Sequence, residues 1–77
     1  MRILVADDHS LFRDGIVSLL TAAGYEVVGQ AGDGQEAVLA TDRLRPDVVL
    51  LDITMPSMNG LQALRAIRKL DPSIKKW

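Results

Sequence analysis

The stretch "VVLLDITMP", residues 48–56, runs four aliphatic side chains without a polar break into the carboxylate of Asp52, with Pro56 three residues beyond Ile53. A continuous apolar run this short is the pattern of a strand covered on both faces, as in a parallel sheet. A second such run, "RILVA" at 2–6, leads straight into Asp7 and Asp8. "YEVVGQA" at 25–31 is more mixed and contains Gly29, which suits a third strand nearer an edge.

Segments of helical period separate these runs. In "SLFRDGIVSLLTAAG" (10–24), Leu11, Phe12, Ile16, Leu19, Leu20 and Ala23 fall on one side, with Ser10 as N-cap and Gly24 as the stop. Leu11, Phe12 and Ile16 are read as core. In "DGQEAVLATDRLRP" (33–46), Asp33 with Glu36 resembles a capping box, Ala37, Val38 and Leu44 form the apolar stripe, and Pro46 ends the segment. In "NGLQALRAIRKLDP" (59–72), Asn59 with Gln62 caps the start and Leu61, Leu64, Ile67 and Leu70 face inward. Arg65, Arg68 and Lys69 make the wet face of this third helix.

The order βαβαβα predicts an α/β parallel sheet. With strand order 2-1-3 and right-handed crossovers, the first helix lies on one face and the second on the other. Strands 1 and 3 then meet at a topological switch point, where open α/β sheets bind ligands outside the carboxyl ends of their strands. Strand 1 delivers Asp7 and Asp8 there, and strand 3 delivers Asp52. Clustered carboxylates disfavour one another's ionisation unless a cation sits between them. Hard oxygen donors suit a divalent ion, Mg²⁺ in particular. His9 beside the acidic pair is read as a helix-start residue rather than a ligand. "GQAGDG" (29–34) is not a dinucleotide fingerprint, since its glycines are misplaced and it follows the wrong strand.

Composition narrows the function classes. The 77 residues are 48% hydrophobic and 25% charged with a formal charge of −1, which fits one small globular domain and gives no electrostatic reason to expect nucleic acid or membrane. There is no cysteine, hence no disulfide framework or thiolate zinc site. The apolar runs are too short to span a bilayer, and "MRILVADD" has no cleavage-site pattern, so a cytoplasmic location is expected.

"ILVADDHSLFRDGIVSLL" followed by "DVVLLDITMPSMNGLQALRAIR" resembles the N-terminal portion of a response-regulator receiver domain, a CheY-like, flavodoxin-like fold. "DDHSLFRDG" is most similar to regulators of the NarL/FixJ type. The resemblance implies that Asp52 accepts a phosphoryl group from a histidine kinase. It implies that Asp8 and Asp52 ligate Mg²⁺ directly, that Asp7 acts mainly through a bound water, and that the Thr54 backbone carbonyl completes the protein's share. Thr54 also matches the variable position that tunes phosphoryl lifetime, and Pro56 and Gly60 match loop residues near the site.

A receiver of this family has five βα units, and the 77 residues match three. The positions of the fourth-strand Ser/Thr and the fifth-strand Lys have no counterpart, nor does the helix-turn-helix through which NarL/FixJ regulators bind DNA. The expectation is a truncated receiver over 1–77 with a non-family tail at 75–77, since Lys75 and Lys76 do not continue a buried strand. Strand 3 would then be a long apolar edge, and two copies would pair along it to complete the sheet. Signalling by such a half-domain is expected to be impaired. The alternative is a purely structural homodimerisation module. An enzyme is not expected: "DITMP" lacks the second aspartate that aspartate-dependent phosphatases place two residues on.

Overall fold

The computed structural model describes residues 1–52, 60–70 and 75–76. Among the described residues, four strands form one parallel sheet: β1 (Arg2–Ala6), β2 (Glu26–Ala31), β3 (Val48–Leu51) and β4 (Lys75–Lys76), in the order β2-β1-β3-β4. Between them run the helices α1 (Ser10–Ala22), α2 (Gly34–Leu44) and α3 (Gly60–Leu70).

The pleat sorts the apolar runs onto two faces. Ile3, Val5 and Val48 face α1, packing with Ile16, Val17 and Leu20. Leu4 and Val49 face the other way and form a cluster with Ala40 of α2 and Ile67 of α3. Both strands are therefore covered on both sides, which is why neither alternates with polar residues.

Local chemistry sets the helix ends. Asp33 accepts a hydrogen bond from the Glu36 N–H at 2.8 Å, while Glu36 Oε2 accepts from the Gly32 N–H at 3.0 Å, a near relative of the capping box. At the end of α1, the Gly24 N–H bonds the Thr21 carbonyl and the Tyr25 N–H bonds the Leu20 carbonyl, the pair of bonds that defines a Schellman motif. Gly24 sits at φ 93°, where a side chain would be strained. Gly29 has a different reason. The β1–β2 register slips between Ile3 and Leu4, and a Cβ on Gly29 would come within 2.7 Å of Leu44 Cδ1 and 3.3 Å of Leu4 Cδ1.

Three expectations are corrected. Lys75 and Lys76 do continue the sheet, pairing in parallel with Val48 and Val49; a ladder is made by backbone groups, and an edge strand tolerates lysines well. In α1, Leu11, Phe12 and Leu19 are 86%, 63% and 73% exposed, so they are not core, and Ala23 is exposed as well. The residue that caps α1 is His9, without a side-chain cap bond, and Ser10 is the first helical residue. In α3, Ile67 is buried and Leu64 and Leu70 are partly so, with Arg65, Arg68 and Lys69 exposed as read. The Asn59 cap lies outside the described residues.

Candidate metal and phosphoacceptor site

Pairing continues one residue past each strand. The Asp7 N–H donates to the Ala31 carbonyl and the Asp52 N–H to the Ala6 carbonyl, both at 3.0 Å. With Ala6 opposite Leu51 in register, the main chains of Asp7 and Asp52 are fixed at the same end of neighbouring strands. The switch point read from sequence is thus where the carboxylates meet. One ligand atom from each of Asp7, Asp8, His9 and Asp52 can be chosen so that all four lie within 4.8 Å of one another.

The cluster grades from buried to wet. The Asp7 side chain is 10% exposed, that of Asp8 27% and that of His9 73%. Asp7 Oδ1 accepts the His9 N–H at 2.9 Å, which turns the chain into α1. His9 Nδ1 lies 3.1 Å from Asp8 Oδ1 and 3.4 Å from Asp7 Oδ1. Beneath the carboxylates, Val5, Ile16 and Leu50 line a cleft of about 200 Å³ that Asp7 and Asp52 also border.

The donor set fits Mg²⁺. Ligands on opposite sides of an octahedral Mg²⁺ stand about 4.2 Å apart, from bonds of about 2.1 Å, so three carboxylates gathered this closely can share one ion and leave positions for water. Of the residues read as site residues, Asp7, Asp8 and Asp52 come together. Gly60 opens α3 instead of lying in a loop, and Thr54 and Pro56 lie outside the described residues.

Sequence reasoning passed over Arg13. Its Nη1 donates to the Asp7 carbonyl at 2.6 Å and to the Ala31 carbonyl at 3.4 Å, and its Nε donates to Gln30 Oε1 at 3.1 Å. No sequence signal distinguishes it from a solvated helix charge, because its partners, two backbone carbonyls and the Gln30 side chain, are brought within reach only by the packing of α1 against the ends of β1 and β2.

The fold, with an acidic crevice at the carboxyl ends of β1 and β3, is that of a receiver-type domain. Residues 3–76 match the response regulator receiver domain family, and the chain belongs to it. It is 47% identical over 74 residues to the chemotaxis protein CheY of Thermotoga maritima, a match covering 96% of this chain and 62% of that protein. It is 46% identical to the response regulator GacA of Pseudomonas viridiflava over 97% of this chain and 36% of that one. The chain thus spans under two thirds of the length of these relatives. Among solved structures, the CheX–CheY–BeF₃–Mg²⁺ complex from Borrelia burgdorferi superposes with a TM-score of 0.95 at 31% identity, covering 99% of this chain and 58% of that one. The response regulator domain of Thermotoga maritima CheB gives a TM-score of 0.91 at 40% identity, over 95% of this chain and 55% of that one. The family match extends through Lys76, into the residues read from sequence as a tail.

Proposed function

We propose that this chain is the phosphoacceptor half of a two-component receiver and that Asp52 takes a phosphoryl group from a histidine kinase in the cytoplasm. The observation that carries this reading is the convergence of Asp7, Asp8 and Asp52 from the ends of β1 and β3 onto one divalent-ion-sized space. An Asp52 carboxylate oxygen forms a bond to phosphorus as the bond from phosphorus to the donor imidazole nitrogen breaks, giving an acyl phosphate and, with one proton taken up by the departing ring from solvent, a neutral histidine. Asp8, Asp52 and the Thr54 carbonyl would hold Mg²⁺, with Asp7 acting through a water; the ion would offset the negative charge of the phosphoryl oxygens. The ladder bonds at Asp7 and Asp52 hold the attacking group in place before the donor arrives. The DDHSLFRDG wording favours a NarL/FixJ-type regulator, a transcription factor in its full form.

The test is labelling by acetyl phosphate with Mg²⁺. Weak labelling of the wild type is expected, lost on adding EDTA and lost in Asp52→Asn. Labelling that persists in Asp52→Asn would place the acceptor elsewhere. A second reading, a homodimerisation module without phosphoryl transfer, is favoured by one observation: Leu11, Phe12 and Leu19 leave an apolar face of α1 uncovered. Absence of labelling in a folded dimer would decide for it.

A further inference from the structure

We propose that Arg13 is a positioning residue that sets the affinity of the acidic site by locking the backbone of Asp7; the inference rests on the metal-site reading above. The carbonyl of Asp7 lies one residue beyond β1. Arg13 reaches back from the first turn of α1 and satisfies it at 2.6 Å, in a half-buried setting. The same Nη1 touches the Ala31 carbonyl, which already accepts the Asp7 N–H. Arg13 therefore closes a ring through the ends of β1 and β2, and its Nε is tied to Gln30 on β2.

Other features support the placement. A Cβ on Gly32 would stand 3.4 Å from Arg13 Nη1 and 3.1 Å from Glu36 Oε2, so the absence of a side chain there leaves room for the guanidinium. On the other side of the peptide, Asp7 Oδ1 is held by the His9 N–H. With its N–H, carbonyl and carboxylate all engaged, Asp7 has little rotational freedom, and Asp8 follows it directly in the chain. A planar fork reaching two carbonyls and an amide is a task for arginine; a lysine ammonium keeps the charge but loses the fork.

Groups that orient metal-binding side chains typically change affinity by about 10–100-fold when removed. Calorimetric titration of Mg²⁺ into wild type, Arg13→Met, Arg13→Lys and Gln30→Ala tests the assignment, with thermal melts of each in EDTA. Arg13→Met is expected to bind Mg²⁺ about tenfold more weakly. Arg13→Lys should fall between Arg13→Met and wild type, and Gln30→Ala, which spares both carbonyl bonds, should bind as wild type does. Amide exchange at Asp7 and His9 should quicken in the Arg13 variants while Leu4 and Val49 stay protected. Wild-type affinity in Arg13→Met would overturn the proposal, as would losses that follow the metal-free melting points across all three variants. If Arg13→Met does not fold, wild-type affinity in Arg13→Lys overturns it instead. A wild type that takes up no Mg²⁺ would remove the site reading and this inference together.

Discussion

The meeting of Asp52 with Asp7 and Asp8 was legible because two unbroken apolar runs end in acid and a parallel sheet sets such ends side by side. Arg13 was not, since its role depends on which carbonyls β1 and β2 leave within reach, a property of tertiary geometry. Gly29 was read only as the mark of a strand nearer an edge, whereas its missing side chain also admits Leu44 of α2 and Leu4 of β1. Its substitution makes a test at this scale. Gly29→Ala presses on two flexible Leu ends and should change stability by less than about 1 kcal/mol, because strain is offset by the strand preference of alanine over glycine. Gly29→Val adds two further methyls to the same space and should cost about 1–3 kcal/mol. Urea unfolding of the pair would read this difference, and a Val variant as stable as the wild type would mean that α2 can retreat from β2 freely.

At the scale of elements, periodicity located α1, α2 and α3 within a few residues, and it misjudged what covers α1. The apolar positions of α1 make two stripes: Ile16, Val17 and Leu20 meet the sheet, while Leu11, Phe12 and Leu19 point away from it. A moment along the sequence merges the two, because both recur at helical spacing. The stripe of α2 was read as Ala37, Val38 and Leu44, yet the buried positions include Ala40 and Thr41. Thr41 passes as polar in sequence and is buried because its hydroxyl donates to the Ala37 carbonyl at 2.7 Å. The Asp33 cap of α2 was legible, being local, whereas at α1 His9 takes the cap position read for Ser10. Asp33→Ala removes the acceptor for the Glu36 N–H and should lower stability by about 1 kcal/mol, with Asp33→Asn or Asp33→Ser retaining most of it. Chemical denaturation of the three variants measures this; equal stability of Ala and Ser would show that Glu36 alone orders the turn.

For the whole molecule, a bare β3 edge no longer argues for self-association, and any pairing of two copies needs another surface. The sequence pointed to a bare β3 edge, but β4 pairs with its first two residues, and lysine-bearing edges resist joining other sheets. Val49 is fully buried, so Val49→Lys would place an unpaired charge in the core and unfold the chain whatever the interface. Among the described residues, Leu11, Phe12 and Leu19 leave an apolar stripe of α1 uncovered, and contiguous exposed patches of this kind mark interaction sites. Leu11 and Leu19 stand two turns apart with Gly15 between them, and a Cβ on Gly15 would have no neighbour within 4 Å. A glycine in mid-helix costs about 1 kcal/mol relative to alanine, and nothing in the monomer requires it, whereas the α1 of a second copy could approach closely there. Sedimentation equilibrium should therefore give a species of twice the 8.4 kDa chain mass at high concentration, and Leu11→Gln with Leu19→Gln should shift it to monomer. Since both side chains are solvated in the monomer, the double variant should melt within a few degrees of the wild type under dilute conditions. A variant that stays dimeric would return the interface to the strand edge, and a wild type that is monomeric at every concentration would leave three helices on a four-stranded sheet sufficient by themselves.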